Sequence, residues 1–251
     1  MPFEPASSAC KAVLSPSTTL LDYGCGRGEF LQEVASRIGK GIGMELDAGC
    51  LEKAIRDNRF PHVQYLKAPG KSSLPFENES FDVVSAFGVM EHVGPEQPYI
   101  REFHRILRPG GKLVIEVPSK GPFRVFDVGN VKFRFPRLHK WYYHYIAKEP
   151  GHYRATFGDE NEMYGQFSRE ATEHRHYRID DLVAITSPHF RLESHTRFGF
   201  FWEFIQFMEV IVCKPFGRSR AEFFTWLADR DAALISPIGR ANVVAVFSKR
   251  E

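Results

Sequence analysis

Thiols are scarce in this sequence, and those present are not spaced to bind a metal. The cysteines among its 251 residues are Cys10, Cys25, Cys50 and Cys213. They form no CxxC pair and no spacing typical of zinc sites. So few thiols in a chain of this length also argue against a disulfide framework, which indicates a reducing compartment. Because the first residues show no basic stretch followed by an apolar core, we expect the cytoplasm.

Long apolar runs and a charge excess of one sign are also missing. No run of about 18 uncharged apolar residues occurs, which argues against a membrane span. The 33 basic and 31 acidic residues give a net charge of +2, too small by itself to favour nucleic acid as a partner. A hydrophobic content of 43% with 25% charged residues is typical of a folded globular protein.

The first half of the sequence alternates short apolar strands with amphipathic helices. This alternation predicts a parallel sheet covered by helices. The predicted strands span residues 19–23, 41–46, 62–66, 81–87 and 112–117. The predicted helices span residues 29–38, 50–57 and 97–107.

The regular pattern lapses after the fifth strand and resumes about 60 residues later, a gap far longer than a usual connection. The sequence therefore predicts three segments: residues 1–118, an insertion over 119–178 with short helices such as 138–147, and residues 179–251. The last segment is predicted to hold helices at 179–186, 201–213 and 220–234 and strands at 190–196 and 242–248.

The stretch LDYGCGRGEF places a glycine-rich loop between the first strand and the first helix. Gly24, Gly26 and Gly28 allow a sharp turn and the close approach of a ligand to the backbone. A dinucleotide would need the spacing GxGxxG, and its phosphates would be repelled by Asp22 and Glu29. The loop therefore favours a ligand that carries positive charge.

A second carboxylate position lies at the end of the second predicted strand. Glu45 follows the loop by about 20 residues, where a carboxylate can accept hydrogen bonds from both hydroxyls of a ribose. Asp47 beside it is the competing candidate, and a solvated helix cap is the alternative role for Glu45.

Four ordered motifs make the chain similar to a known family. LDYGCGRGEF, GMELD, LPFENESFDVVSAFGVMEHV and REFHRILRPGGKLVIEVP resemble the class I S-adenosylmethionine-dependent methyltransferases, in particular the type 11 group, over residues 18–118. The resemblance implies an α/β fold: a Rossmann-like, doubly wound sheet of seven mostly parallel strands, the last antiparallel, with a lid inserted after the fifth strand. It also implies that S-adenosylmethionine is the cofactor.

The resemblance further implies roles for single residues. Asp22 and the backbone of Gly24, Gly26 and Gly28 would hold the methionine end, Glu45 the ribose, and Phe87 would line the methionine moiety. Many relatives have an acidic residue for adenine where this chain reads Pro-Gly-Lys-Ser at positions 69–72, so adenine contacts are expected from backbone or from Ser72.

Histidines supply the candidates for a catalytic base. His92 follows the fourth strand at the edge where ligands bind in open α/β sheets, and its alternative role is to stabilise that loop. Further candidates in the insertion are His139, His144 and His152. His174 and His176 resemble a metal pair, but no carboxylate or cysteine accompanies them at a suitable spacing, so no metal is expected.

The insertion is basic and aromatic. Residues 121–150 include six basic and two acidic residues, and eight aromatic residues are interleaved with them. This pattern predicts a groove for a small, anionic acceptor, with Arg134, Arg137, His139 and Tyr143 as candidate contacts. The alternative is a folded lid with an aromatic core and solvated arginines. Nucleic acid is disfavoured, because no RNA-binding signature accompanies the patch.

Two further expectations concern the N-terminal residues and the aromatic segment at 198–212. Since about 18 residues precede the first strand, we expect the insertion rather than the N-terminal residues to cover the cofactor. The aromatic run at 198–212 predicts a buried helix or an oligomer interface, with peripheral contact to lipid as the alternative.

The predicted function is methyl transfer to a small molecule such as an anionic sugar, a glycolipid or a secondary metabolite. The alternative is a protein that binds S-adenosylmethionine as a sensor or scaffold without transferring the methyl group. A nicotinamide-dependent dehydrogenase is disfavoured by the spacing of the loop and by Asp22.

Overall fold

The computed structural model describes residues 4–158, 163–164, 167–168, 172–213, 222–233 and 241–250. The strands are β1 (Thr19–Tyr23), β2 (Lys40–Glu45), β3 (Val63–Lys67), β4 (Phe81–Phe87), β5 (Leu107–Pro118), β6 (Met163–Tyr164), β7 (Phe167–Ser168), β8 (Phe190–Phe198) and β9 (Asn242–Lys249). The α-helices are α1 (Glu4–Lys11), α2 (Glu29–Val34), α3 (Ala48–Arg56), α4 (Gln97–Ile106), α5 (Val131–Arg134), α6 (Pro136–Trp141), α7 (Pro150–Phe157), α8 (Ile179–Thr186), α9 (Trp202–Cys213) and α10 (Glu222–Ala232). Among these helices, none has the length and apolar character needed to cross a bilayer.

Seven strands form one sheet in the order β3-β2-β1-β4-β5-β9-β8. β9 pairs antiparallel with both of its neighbours, whereas the pairs among β1 to β5 are all parallel. The predicted doubly wound sheet with an antiparallel last strand is therefore confirmed. The strand order reverses between β1 and β4, and in open α/β sheets ligands bind at the carboxyl ends of the strands at such a reversal.

The two faces of the sheet are buried under separate helical layers. Successive residues of a strand point to opposite faces, so Leu20 packs into one hydrophobic cluster and Leu21 into the other. The first cluster includes Leu31 of α2, and the second includes Phe103 of α4. Each fully buried large side chain of this kind contributes roughly 1.5–3 kcal/mol.

Several element boundaries match the sequence-based expectations, and others differ. β1, β4 and α8 begin and end as predicted. α2 is shorter than expected, because its last turn is the 3₁₀ helix Ala35–Arg37. α10 is observed within the predicted range 220–234, whose ends, 220–221 and 234, lie outside the described residues.

The helix α1 was not predicted. It is only eight residues long, and its helical pattern is too short to be distinctive. It forms because Ala6, Ser7 and Cys10 are buried where it packs against β5 and β9. Tertiary contacts, rather than local propensity, therefore stabilise it.

The predicted insertion after β5 contains short helices, and we refer to it below as the lid. The helix predicted near residues 138–147 is confirmed as α6, continued by the π-helical turn Tyr142–Ile146. The chain returns to the sheet as an extended segment, where Tyr177 pairs with Ser119 in an isolated parallel bridge. The division into three segments stays a prediction. Part of the insertion, at 159–162, 165–166 and 169–171, lies outside the described residues.

Candidate functional site

The glycine loop lies at the carboxyl end of β1, beside the reversal of strand order. Gly24, Gly26 and Gly28 have φ values of 79°, 55° and 78°, a left-handed conformation that strains other residues. A Cβ atom at Gly24 would collide with Val89, and one at Gly28 would collide with Tyr65. A Cβ atom at Gly26 would meet nothing within 4 Å. Two of the glycines are thus required by the protein's own packing, whereas Gly26 borders open space.

Glu45 ties the loop to the end of β2. Its Oε2 accepts a hydrogen bond of 2.8 Å from the Gly26 N–H, and its Oε1 accepts bonds of 2.8 Å from the N–H groups of Leu46 and Asp47. Asp47 itself is the N-cap of α3 and accepts from the Cys50 N–H at 2.7 Å. Asp47, the competing candidate, is therefore occupied as a helix cap. The ribose contact of Glu45 stays a prediction.

A cavity of about 420 Å³ opens beside the loop, a size typical of ligand sites. Asp22 of β1 and Phe87 of β4 line it, together with Phe30 of α2. The rings of Phe30 and Phe87 meet edge to face, with centroids 4.9 Å apart. Ser72 is half-buried and lies outside this lining, so its adenine contact stays a prediction.

The N-terminal residues contribute to this cavity. Glu4 and Ser7 of α1 belong to its lining, and Ser7 Oγ donates a hydrogen bond of 2.9 Å to Glu33 of α2. Lys11 forms an ion pair with the same Glu33. α1 therefore forms part of one wall of this cavity. The expectation that the insertion, rather than the N-terminal residues, covers the cofactor stays a prediction.

The cavity wall is electronegative. Four carboxylates line it against one guanidinium, and these residues are Glu4, Asp22, Glu29, Glu33 and Arg27. Asp22 is buried, and burial raises the pKa of its carboxyl group to about 7. A hydrogen bond of 2.8 Å from Ser85 Oγ opposes that rise, and the negative charge of Glu45 adds to it. A cationic ligand would relieve this repulsion, whereas a dinucleotide would increase it.

The four acceptor candidates in the lid lie in two different environments. Arg134 and Arg137 are exposed. The ring of His139 contacts the rings of Tyr143 and Phe157, with centroid distances of 5.1 and 4.7 Å. These contacts give His139 and Tyr143 a role in the aromatic core of the lid. Their contact with an acceptor stays a prediction.

His92 lies just after β4, as expected, and is largely buried. Burial, with the nearby charges of His174 and Lys132, lowers the pKa of its imidazole to about 3. Its ring centroid lies 5.1 Å from that of His174. The segment that follows β4 therefore contacts the segment that precedes α8, through His92 and His174.

Asp127 and Glu203 were not predicted as site residues from the sequence, yet they lie close to the two lid histidines. Asp127 is 47 residues from His174 in sequence, yet its Oδ2 lies 2.7 Å from His174 Nδ1. The side chain of His176 is 3.7 Å from Asp127 and 3.9 Å from Glu203. A carboxylate does accompany the histidine pair, and the three groups Asp127, His174 and His176 could hold a metal ion. The one available signal was that Asp127 is one of two acidic residues among six basic ones between residues 121 and 150.

Comparisons with known proteins agree with this geometry. Residues 21–115 match the family described as "Methyltransferase domain". The chain is 31% identical over 107 residues to a probable S-adenosylmethionine-dependent methyltransferase of Mycolicibacterium smegmatis, covering 41% of this chain and 39% of that protein. It is 32% identical over 118 residues to a ubiquinone/menaquinone biosynthesis C-methyltransferase of Campylobacter jejuni, covering 43% and 49%. The chain thus spans less than half the length of each of these relatives.

The fold is shared over a longer stretch than the sequence. A crystal structure of an S-adenosylmethionine-dependent methyltransferase from Mesorhizobium loti aligns with a TM-score of 0.60 at 14% identity, covering 99% of this chain and 98% of that one. Residues 21–115 therefore match a methyltransferase domain, and over this part the chain is similar to S-adenosylmethionine-dependent methyltransferases.

Proposed function

We propose that this chain is an enzyme that transfers the methyl group of S-adenosylmethionine to a small-molecule acceptor. The observation that carries the proposal is the cavity at the carboxyl ends of β1 and β4, where the backbone of a glycine-rich loop lies beside four acidic side chains, of which Glu33 alone is paired with Lys11. A ligand with an ammonium and a sulfonium group fits such a wall better than a phosphate does.

The residues present fit the cofactor. The open space at Gly26 admits a ligand against the backbone, and Asp22 with the loop would hold the methionine end. Phe87 would line the methionine moiety, Glu45 would accept from the ribose, and Ser72 or nearby backbone would meet the adenine. When bound, the cofactor supplies an electrophilic methyl group on a positively charged sulfur. The protein's main contribution is then to align the acceptor with that methyl group.

The lid is proposed to bind the acceptor. Arg134 and Arg137 are exposed on it and can pair with an anionic group, and guanidinium groups suit phosphates and carboxylates. Acceptors of this kind include anionic sugars, glycolipids and secondary metabolites. His139 and Tyr143 would contribute by shaping the aromatic part of the lid around these arginines.

The test is a calorimetric titration of the full chain with S-adenosylmethionine, comparing Gly26→Val with Gly110→Val. Both glycines have left-handed φ angles, and at both a Cβ atom would meet nothing within 4 Å. The two valines therefore impose similar backbone strain, but only the one at residue 26 projects into the cavity. We expect Gly26→Val to weaken binding more than about 100-fold, or roughly 2.7 kcal/mol, and Gly110→Val to leave it unchanged.

Three outcomes would count against the proposal. Undiminished affinity in Gly26→Val would place the cofactor elsewhere. Binding of a nicotinamide dinucleotide in preference to S-adenosylmethionine would show that the cofactor is the dinucleotide. Tight binding without transfer to any acceptor would favour a sensor or scaffold.

A further inference from the structure

A patch of large apolar side chains is exposed on the lid. A single exposed side chain of this kind is common on protein surfaces, whereas a group of them marks a surface that binds something. Five large apolar side chains lie together within residues 135–146, and each is between 47% and 67% exposed. We call this patch the lid face, and it is formed by Phe135, Leu138, Trp141, Tyr145 and Ile146.

The local fold brings these side chains to one side of a helical segment. Pro136 lies in the first turn of α6, where its missing N–H is not needed, and the π-helical turn Tyr142–Ile146 continues the helix. Residues three and four apart on a helix are neighbours, so Leu138, Trp141 and Tyr145 form one row. The ring centroids of Trp141 and Tyr145 are indeed only 6.1 Å apart.

Another side of the same segment faces the core of the lid. His139 contacts Tyr143, the residue one turn later, with ring centroids 5.1 Å apart. Both rings contact Phe157 of α7, at 4.7 and 5.7 Å, and Phe157 is buried. The helical segment is therefore packed against α7 through its inner row, whereas its outer row, the lid face, is exposed.

Cations border the lid face. Arg134, Arg137, Lys140 and Lys148 belong to the same stretch of chain and are all exposed. Residues 134–148 include no aspartate or glutamate, so these four cations give the stretch a formal charge of +4, against +2 for the whole chain. In the described part of the chain, none of the four pairs with a carboxylate. Their charges are therefore available to an anionic partner.

An apolar patch bordered by cations fits the surface of a membrane that contains anionic lipid. Tryptophan and tyrosine are enriched at the level of the headgroups, because their rings are apolar and carry one polar group. Aliphatic side chains such as Leu138 and Ile146 enter the boundary of the acyl chains, and cations contact the phosphates. Each half-exposed apolar side chain contributes roughly three- to tenfold to the partition coefficient, and each cation about fivefold.

A second copy of the chain and a nucleic acid are poorer partners for this face. A twofold dimer uses the same patch of both copies, so it would bring the cations of one copy against those of the other. Like charges placed in this way weaken association. A nucleic acid would neutralise the cations, but its bases bind by stacking on aromatic rings and offer little to Leu138 and Ile146.

We propose that the lid face binds the surface of membranes that contain anionic phospholipid, with Trp141 and its apolar neighbours in the headgroup layer and the bordering cations on the phosphates. The inference goes beyond the proposed function, because this binding needs neither S-adenosylmethionine nor an acceptor. Arg134 and Arg137 are also the proposed acceptor contacts, so Lys140 and Lys148 are the cations to change in a test.

The first test sediments the full chain with vesicles of phosphatidylcholine alone, or of phosphatidylcholine with about 30% phosphatidylglycerol. We expect the chain to sediment with the anionic vesicles and not with the neutral ones. Salt at about 0.5 M should release most of it, because the charge interactions are screened. Binding to neither kind of vesicle, or equal binding to both, would overturn the proposal.

Paired substitutions then locate the contact. Leu138→Ser combined with Trp141→Ser removes apolar surface, and Lys140→Gln combined with Lys148→Gln removes two charges. Each pair should lower the partition coefficient for anionic vesicles by at least about tenfold. If both pairs bound as tightly as the unsubstituted chain, the lid face would not be the contact.

Two further pairs are matched controls outside the lid. Phe223→Ser combined with Trp226→Ser changes two exposed aromatic residues of α10. Lys40→Gln combined with Arg59→Gln removes two exposed cations. Both controls should bind anionic vesicles within about twofold of the unsubstituted chain, since charges more than a Debye length from the membrane are screened. Losses equal to those of the lid pairs would overturn the proposal.

Tryptophan fluorescence reports the contact directly. Lipids brominated on their acyl chains quench tryptophans that enter the membrane, and Trp141→Phe keeps an apolar ring in the lid face. We expect quenching by anionic vesicles in the unsubstituted chain and in Trp226→Phe, and its loss in Trp141→Phe although that variant still binds. Quenching that survived in Trp141→Phe would place another surface in the membrane.

Other occupants of the face give different results. A dimer in sedimentation velocity that Leu138→Ser with Trp141→Ser dissociates, without vesicle binding, would assign the face to a second copy. Binding of a single-stranded oligonucleotide without vesicle binding would assign it to nucleic acid, and either result would overturn the proposal. Calorimetry should show unchanged affinity for S-adenosylmethionine in every variant. Failure of the unsubstituted chain to bind S-adenosylmethionine would overturn the proposed function and leave the membrane contact standing.

Discussion

The cavity beside the glycine loop and the group formed by Asp127, His174, His176 and Glu203 are assembled differently. Most of the cavity wall comes from one continuous stretch, the end of β1, the glycine loop and α2. The group joins three segments, and Asp127 and Glu203 are separated by more than 70 residues along the chain. A ligand site made of adjacent residues leaves a motif in the sequence, whereas one made of distant residues leaves only isolated side chains.

The two regions also differ in charge and in what faces the ligand. In the cavity, carboxylates lie beside a glycine-rich loop, and its backbone is open to contact at Gly26. In the lid, Arg134 and Arg137 are exposed, whereas Asp127 is buried and hydrogen-bonded to His174. The first arrangement suits a cation, and the exposed arginines of the second suit an anion. The comparison predicts that each region can be altered without affecting the ligand of the other.

The largest effect is expected from Asn130→Ala. This change removes the bonds from Asn130 to Asp127 and to the His174 backbone, and it leaves buried partners unpaired. We expect the free energy of unfolding, measured with urea, to fall by about 2–3 kcal/mol. Asn78→Ala, at an exposed asparagine that accepts a bond from Arg105, should change it by less than about 0.5 kcal/mol.

The affinity of Asn130→Ala for S-adenosylmethionine should stay within twofold of the original. Because α1 lines the cavity beside the loop and no described residue of the lid does, loosening the lid should not expose the cofactor. A loss of cofactor affinity in parallel with the loss of stability would show that the two regions are one unit.

A smaller effect is expected when pH changes the charge of Asp22. In the free protein its pKa is about 7, so near neutral pH the carboxyl group is half protonated. A cationic ligand binds the ionised form, so binding should release protons, and affinity should fall about tenfold from pH 8 to pH 6. Calorimetry in buffers of different ionisation enthalpy measures the released protons. In Asp22→Asn the slope should vanish, and a slope that persisted would assign the proton to another group.

The smallest effects are expected at the exposed arginines of the lid. Arg134→Ala and Arg137→Ala should each raise the KM for an anionic acceptor by about two- to fivefold, because a solvent-exposed charge pair contributes at most about 1 kcal/mol. The affinity for S-adenosylmethionine and the stability should not change. If a variant weakened the binding of the cofactor and of the acceptor equally, its arginine would lie between the two regions rather than on the lid side.

Much of the sheet could be predicted from the sequence because each strand carries its own signal. β4 is almost wholly apolar, since it is buried on both faces, and its bounds were predicted without error. The bounds of β5 were less well predicted. It begins at Leu107 rather than 112, because a register shift lets Leu107 pair with Phe81 before the Arg-Pro-Gly-Gly turn. Local composition does not reveal a pairing of that kind.

The site was predicted in the same uneven way. The glycine loop, Asp22 and Phe87 form a cavity as expected, because the parallel strands bring their carboxyl ends to one edge. In the sequence, Asp127 is noticeable only as an acidic residue in a basic segment. Its proximity to His174 depends on the lid folding back to the sheet at Tyr177, which no spacing rule indicates.

The sequence alone determined the class of fold, the family resemblance and the loop beside which the cavity opens. These depend on contacts between residues close together in the chain, and on a hydrophobic pattern whose period shows strand or helix. Only the tertiary structure decided that α1 lines the cavity and that Asp127 bonds to His174. Those contacts join distant residues, and they form because packing the lid and α1 against the sheet buries apolar surface that neither segment can bury alone.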